Sequence, residues 1–160
     1  TTAQSKLKLS KKENKAILDI KIANRKMIEI IKDIRELNRN ITLSTNLRNK
    51  FVQKEYNGFR KKLTKVLRTI YLFRKEEDNL KYAEILSELK IEAKDNIRLS
   101  NKSIDKLIRK DLITAEQASS LFNDYTNVNN VTKKLIEVAE LLYGKMDSLL
   151  EDTSENIKTV

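Results

Sequence analysis

Apolar residues recur at three- and four-residue steps along four stretches of the chain, which is the spacing of one face of an α-helix. These stretches predict helices from about Lys11 to Ile41, Leu47 to Lys75, Leu80 to Lys110 and Thr114 to Gly144, the last continuing through Leu149. Each would be about 45 Å long at the rise of an α-helix. In the first helix, the predicted inward-facing residues are Ala16, Ile17, Ile20, Ala23, Met27, Ile30, Ile31, Ile34, Leu37 and Ile41.

Two of the predicted helix starts carry a capping box, in which two residues three places apart exchange side-chain-to-backbone hydrogen bonds. Ser10 and Glu13 have the residue types and spacing for one box, and Thr114 and Gln117 have them for the other. Gly58 falls inside the second apolar pattern, but the pattern resumes in register on its far side. We therefore predict uninterrupted helix at this glycine.

The connections between the predicted helices are short, and short connections place sequential helices antiparallel. The first break is predicted at residues 42–46 and the second at residues 76–79. A chain with no Pro and two Gly has few residues that end a helix early. The sequence therefore predicts an all-α protein, an antiparallel up-down bundle of about four long helices. We expect one domain, residues 1–160, with frayed tails at 1–9 and 152–160.

The residue types that the chain lacks limit its chemistry. It has no Cys and no His, which excludes disulfides, Ser-His-Asp and Cys-His catalysis, and histidine-ligated zinc sites. Two glycines leave no Gly-rich phosphate loop. The longest apolar run, Ile70 to Phe73, is far shorter than the roughly 20 residues of a membrane span. We predict a protein that is not an enzyme, binds no cofactor and does not itself cross a membrane.

Positive charge is concentrated in the first half of the chain. Residues 1–78 hold 21 of the 33 Lys and Arg but only 9 of the 23 Asp and Glu, so they account for the whole net charge of +10. This favours an anionic partner, such as lipid headgroups, nucleic acid or an acidic protein, and the alternative is an ordinary solvated helix face. The residues that we predict to contact an anionic partner are Arg35, Arg39, Arg60, Lys61, Lys62, Lys65 and Arg68.

Acidic and amide side chains suggest two further sites. Glu29 and Asp33 form an i,i+4 acidic pair, as do Asp147 and Glu151, and such pairs on facing helices can hold a metal ion through oxygen ligands. Because they also arise by chance in a charged helical chain, Glu29 and Asp33 are weak metal candidates. The middle of the fourth helix forms either a solvated polar face or a polar layer against a neighbour, through Asn123, Asp124, Asn127, Asn129 and Asn130.

Three short segments of the chain follow patterns shared with a known family. Leu112 to Thr114, followed by Ala118 to Asp124, is similar to the pattern I-T-x-x-x-A-(S/T)-S-L-x-N-D. Lys32 to Asn40 resembles a K-D-I-R-x-N segment, and Glu55 to Arg60 resembles its Y-x-x-(F/L)-R continuation. In these segments the chain resembles the PhoU-like cytosolic domain of bacterial sodium/phosphate symporters, over roughly residues 20–145.

The resemblance implies a helical cytosolic domain attached to a membrane transporter. PhoU relatives can carry multinuclear metal clusters on repeated Glu/Asp-x-x-x-Asp motifs. The corresponding places here hold Lys32, Glu36, Asn123 and Asn127, so those ligands are not carried over. The resemblance implies instead that Asn123, Asp124 and Asn127 make structural polar contacts inside the bundle.

We therefore expect a PhoU-like regulatory or interaction domain of a sodium-dependent phosphate transporter, on the cytoplasmic side of the plasma membrane. The membrane-spanning part would be absent from this chain, and the transmembrane domain of the same polypeptide would be its partner. An anionic membrane surface and a second copy of the chain are further partners to consider, whereas nucleic acid is not expected. The alternatives are a free-standing helical protein-interaction module and a basic helical protein that binds nucleic acid or lipid.

Overall fold

The computed structural model describes residues 10–45, 49–76 and 80–144, without the side chains of residues 43–45 and 96–101. These residues contain no β-strand and form four α-helices: α1 (Lys11–Thr45), α2 (Lys50–Lys75), α3 (Leu80–Arg109) and α4 (Ala115–Tyr143). The all-α prediction is therefore confirmed. The predicted tails, and the predicted continuation of the last helix beyond Gly144, lie outside the described residues.

Capping boxes hold the starts of α1 and α4. The backbone N–H of Ser10 donates to the Glu13 carboxylate at 2.8 Å, and the backbone N–H of Glu13 donates to the Ser10 hydroxyl at 3.3 Å. The bond from the Ser10 N–H, together with one from the Ser10 hydroxyl to the same carboxylate, lowers the pKa of Glu13. The same exchange joins Thr114 and Gln117, with donor–acceptor distances of 3.2 and 3.0 Å. Both starts thus satisfy backbone donors that the helix itself leaves unpaired.

The start of α2 differs from the predicted one because Asn49 caps it. The Asn49 side-chain oxygen accepts hydrogen bonds from the backbone N–H groups of Phe51 at 2.9 Å and Val52 at 3.3 Å. Asparagine is among the best N-cap residues because its short side chain reaches the free backbone donors of the first turn. The helix therefore begins at Lys50 rather than at Leu47.

The end of α1 is also later than predicted. The helix includes Thr42, Ser44 and Thr45, three of the residues that were expected to break it, and Asn46 lies outside the described residues. Thr42 is accommodated because its hydroxyl donates to the backbone carbonyl of Asn38, one turn earlier, at 2.9 Å. At Gly58 the prediction was right, since α2 is uninterrupted there.

α4 is the central helix and packs against each of the other three. α1 lies along α4 and touches α2 only slightly, and none of its described Cα atoms comes within 8 Å of a Cα atom of α3. Lys26 and Asn40 of α1 bond to Glu137 and Asp124 of α4, respectively. Rising residue numbers in α1 thus meet falling numbers in α4, so these two helices are antiparallel.

Different sides of α4 contribute to three clusters of buried apolar residues. Val131 packs with Ala23 and Ile30 of α1. Ile136 packs with residues of α2 and α3. Leu121 belongs to a cluster to which all four helices contribute. The core of the bundle therefore surrounds α4.

The predicted inward-facing stripe of α1 is correct for one line of residues and wrong for the next. The buried line consists of Ala23, Ile30 and Leu37, with exposed fractions of 1%, 5% and 2%. α1 packs mainly on one neighbour, and one neighbour covers a single line of a helix better than a wide face. The residues of the stripe that are exposed instead are Ala16, Ile20 (58%), Met27 (41%), Ile31 (67%) and Ile34 (42%), and Ile17 and Ile41 are half-buried.

Candidate functional site

Asp124, in the middle of α4, joins three helices through its carboxylate. It is fully buried and accepts hydrogen bonds from the Tyr56 hydroxyl of α2 at 2.6 Å and from the Asn40 side-chain amide of α1 at 2.8 Å. Burial raises the pKa of Asp124, the two hydrogen bonds oppose this rise, and the nearby Glu36 carboxylate adds to it. Asp124 is therefore a buried contact between helices and not a solvated residue.

The segments that carry the family resemblance meet at this carboxylate. Asn40 ends one segment, Tyr56 lies at the start of the next, and Asp124 ends the third. Of the other two residues predicted to make polar contacts, Asn123 is exposed and Asn127 is half-buried. One residue from each of the three segments thus takes part in the contact that joins α1, α2 and α4.

Aromatic rings extend this contact along the interface of α2 and α4. Phe59 packs edge to face against Tyr56 and Tyr125, with ring centroids 5.4 and 4.6 Å apart. The Tyr125 hydroxyl donates to the Glu55 carboxylate, and burial together with this carboxylate raises the pKa of Tyr125. Because two tyrosine–carboxylate pairs sit side by side, they fix the register of α2 against α4.

Asn49 makes a second connection at the same end of the bundle. Besides capping α2, its side-chain amide donates to the backbone carbonyl of Leu112 at 2.8 Å and to the Gln117 side chain at 3.3 Å. The start of α2 is thereby attached to the connection between α3 and α4. We call this set of contacts the polar junction, and it consists of Asn40, Asn49, Tyr56, Gln117 and Asp124.

The weak metal candidates Glu29 and Asp33 face a lysine instead. The Lys134 ammonium of α4 lies 2.8 Å from the Asp33 carboxylate and 3.3 Å from the Glu29 carboxylate. The hydrogen bond to Asp33 is the main cause of the raised pKa of Lys134. The part of the chain that the structure describes contains no group of three or more His, Cys, Asp or Glu that could hold a metal ion. The other acidic pair, Asp147 and Glu151, lies outside that part.

The basic residues predicted to contact an anionic partner do not form one surface. Lys61, Lys62 and Lys65 line a groove of about 370 Å³ between α2, α3 and α4. Glu55 and Glu92 line the same groove, so much of its positive charge is offset. The four arginines are exposed and lie outside this groove: Arg35, Arg39, Arg60 and Arg68.

Lys62 is the least exposed of these basic residues. Its ammonium donates to the Asn129 side-chain oxygen at 2.8 Å, and burial lowers the pKa of Lys62. Asn129 is buried, and its side-chain nitrogen has no hydrogen-bond partner among the described residues. Lys62 therefore serves as a contact between α2 and α4 more than as a free surface cation. Asn130, the last of the polar residues in mid-α4, is exposed.

Exposed apolar side chains lie along the boundary between α1 and α2, where the two helices contact each other only slightly. On α2 they are Leu67 and Tyr71, with exposed fractions of 54% and 58%. These two follow Leu63, which packs against the α1–α4 cluster, at successive four-residue steps, so they continue the flank of α2 that faces α1. On α1 they are the large exposed residues of the predicted stripe, which we call the α1 seam: Ile20, Met27, Ile31 and Ile34.

Within the described residues, no helix has a segment both long and apolar enough to cross a lipid bilayer. Comparisons of the chain with protein-family models, with curated proteins and with solved structures give no match. The likeness to the symporter domain therefore rests on the short segments alone.

The partners of Asp124 were not identified from the sequence, although Asp124 itself was a candidate. Asn40 and Tyr56 are 84 and 68 residues away from it in the chain. One feature of the sequence could have identified Asn40, the partner on α1. Lys26, Asp33 and Asn40 form a polar line at seven-residue intervals, directly beside the buried line of α1, and each bonds to α4.

Proposed function

We propose that the chain is a regulatory or interaction domain that acts by binding another protein and not by catalysis. The observation that carries this proposal is the α1 seam, which stays exposed although the bundle buries a parallel line of the same helix. Isolated apolar side chains are common on protein surfaces, but a contiguous apolar strip is typical of an interaction site.

The family resemblance gives the proposal its specific form. We infer a PhoU-like, up-down helical domain on the cytoplasmic side of the plasma membrane, which regulates the transmembrane part of a sodium-dependent phosphate transporter. Its support is that Asn40, Tyr56 and Asp124, each from a different resembling segment, make one contact. No metal ion or cofactor is part of the proposal.

The genomic sequence upstream of the codon for residue 1 tests this specific form. We expect the reading frame to continue upstream and to encode several apolar spans of about 20 residues each. A reading frame that starts at residue 1 and encodes no such span would contradict the transporter assignment. It would favour the second candidate, a free-standing helical interaction module, which the α1 seam supports equally well.

The remaining alternative, a basic protein that binds nucleic acid or lipid, has less support. A phosphate backbone or a lipid surface is bound best by a continuous basic surface. Here Lys61, Lys62 and Lys65 share a groove with two glutamates, and the arginines lie elsewhere. The excess of positive charge in the first half of the chain is thus divided between separate faces.

A further inference from the structure

α1 carries two apolar lines, and only one of them is covered. The buried line packs on α4, whereas Ile20, Met27 and Ile34 of the α1 seam repeat at the same seven-residue interval on the exposed side. Asn24, Ile31 and Asn38 are exposed as well. Taken together, the six exposed positions 20, 24, 27, 31, 34 and 38 follow alternating steps of four and three residues. This is the heptad pattern of a coiled-coil seam, in which an occasional Asn fixes the register of the partner helix.

The α1 seam lies on the side of α1 next to α2. Tyr56 and Lys62 of α2 bond to Asp124 and Asn129 of α4, respectively, so α2 runs parallel to α4 and therefore antiparallel to α1. Both helices pack on α4, yet they contact each other only slightly. Leu142 of α4 is 37% exposed and follows by seven residues Leu135, which packs against the clusters on both sides. We call this apolar gap between the two helices the α1–α2 cleft.

Acidic residues of α1 lie mainly on the lines that face α4. Glu29 and Asp33 face Lys134, and Asp19 and Glu36 fall on the same two lines, which also hold the basic residue Lys26. The opposite side, next to the α1 seam, carries exposed basic residues at seven- and fourteen-residue intervals: Lys21, Arg25, Lys32, Arg35 and Arg39. Arg25 lies 3.6 Å from the Glu29 carboxylate, and Glu13 precedes Ile20 on the line of the seam.

The other wall of the cleft is basic as well. Arg60 of α2 is exposed and precedes Leu67 by seven residues, so both lie on one line of the helix. The one acidic residue within α2 is Glu55, and it is bonded to Tyr125 of α4. The described part of the cleft is therefore apolar inside and positively charged along both edges.

We propose that this cleft binds one amphipathic α-helix of a partner protein, with an apolar heptad stripe on its inner side and acidic residues flanking that stripe. The proposal rests on the proposed interaction function and names the chemistry of the partner. The helix would pack its stripe against the α1 seam, Leu67 and Tyr71, and would place its carboxylates near Arg35 and Arg60. Its charge complements the edges of the cleft, which favours this partner over neutral or basic helices.

Two other occupants fit the surface less well. A second copy of the chain would bring two basic sides of α1 together, and like charges across a coiled-coil interface oppose pairing. A lipid surface would have to enter the α1–α2 cleft and would bury Asn24 and Asn38 among acyl chains, where their amides lose hydrogen bonds to water. An amphipathic partner helix avoids both costs.

Two synthetic peptides of about four heptads each test the proposal. They share the same apolar core positions and differ only in the flanking positions, which are Glu in one peptide and Lys in the other. We expect fluorescence anisotropy to show that the full chain binds the Glu peptide at least about tenfold more tightly than the Lys peptide. Binding of the Glu peptide should weaken as salt is raised from low to physiological concentration.

Variants of the α1 seam separate this binding from general charge attraction. Met27→Lys and Ile31→Lys should each weaken binding of the Glu peptide about tenfold, although each adds a positive charge. Ile91→Lys on α3 is the matched control, because Ile91 is 57% exposed and no described Cα atom of α3 lies within 8 Å of one of α1. It should bind the Glu peptide at least as tightly as the unaltered chain.

Equal affinity for the two peptides, or no binding of the Glu peptide, would overturn the proposal. It would also be overturned if Ile31→Lys abolished self-association in sedimentation, or abolished flotation with anionic vesicles, since the seam would then serve a second copy or a membrane. None of these results would change the reading frame upstream of residue 1. Failure of this inference is therefore distinguishable from failure of the transporter assignment.

Discussion

The polar junction and the α1–α2 cleft show two different uses of the same helix. Near its C-terminal end, α1 places Leu37 in the core and bonds through Asn40 to a fully buried carboxylate. Nearer its N-terminal end, it holds Ile20, Met27 and Ile31 in solvent. Both regions are built on seven-residue spacing. They differ because α2 and α4 enclose α1 at the junction, whereas α4 is its main neighbour along the cleft.

This difference separates what stabilises the bundle from what is left for binding. At the junction, apolar burial and satisfied hydrogen bonds both favour the folded state, and removing either should lower its stability. The α1 seam gains less from folding, because its four side chains remain between 41% and 67% exposed. Substitutions in the two regions should therefore differ in their effects on unfolding, even within one helix.

The largest difference is expected between Leu37→Ala and Ile34→Ala. Leu37 is 2% exposed, and its truncation should lower the free energy of unfolding by about 3 kcal/mol, because it leaves a cavity in the core shared by all four helices. Ile34 is 42% exposed, and its truncation should cost less than about 1 kcal/mol. Urea unfolding of both variants measures the two values. Equal losses of stability would show that the α1 seam is covered in solution, and the seam would then not differ from the polar junction.

A smaller loss is expected for Asp124→Ala. The variant leaves the buried Tyr56 hydroxyl and the Asn40 amide without their acceptor, and an unpaired buried donor is costly. We expect the free energy of unfolding to fall by about 2 kcal/mol, measured by thermal or urea unfolding. Asn123→Ala is the control, because this neighbouring side chain is exposed. If both variants were as stable as the parent chain, the junction would not hold the helices together.

Asp124→Asn should alter the dependence of stability on pH. The pKa of Asp124 is raised in the folded protein, so its stabilising contribution is fully present below the pKa of the unfolded chain and is lost as the pH rises through the folded pKa. Relative to the Asn variant, the parent chain should gain stability as the pH is lowered through this window. Urea unfolding of both proteins over a series of pH values gives the difference. A constant difference, or one that changes in the opposite direction, would show that burial does not dominate at this carboxylate.

The helices could largely be predicted because their signals are local. Apolar spacing and the residues of the two capping boxes lie within a few positions of each other, and they place the starts of α1 and α4 correctly. The covered side of α1 could not be predicted in the same way. Ile30 and Ile31 are adjacent and chemically identical, and the position of α4 alone makes one 5% and the other 67% exposed.

The polar junction shows the same limit for the candidate site. Asp124 was noticeable in the sequence as the one carboxylate among the asparagines in the middle of α4, but Asn40 and Tyr56 have no local feature that pairs them with it. Lys134 likewise occupies the place beside Glu29 and Asp33 that a metal ion would need. A sequence pattern can thus identify one residue of a contact. The residue that it contacts depends on how helices distant in the chain are arranged.

The smallest expected effect is a gain in stability from a substitution in the turn beside the polar junction. Asp111 ends α3 with a left-handed backbone, φ 52°, while its N–H donates to the Ile108 carbonyl and that of Leu112 donates to the Leu107 carbonyl. This pattern is a Schellman motif, whose left-handed position favours glycine because a side chain is strained there. We expect Asp111→Gly to raise the free energy of unfolding by about 0.5 kcal/mol, measured by urea unfolding against the parent chain. A loss of similar size would show that the Asp111 side chain stabilises the turn by more than its backbone strain costs, so the junction would extend to the end of α3.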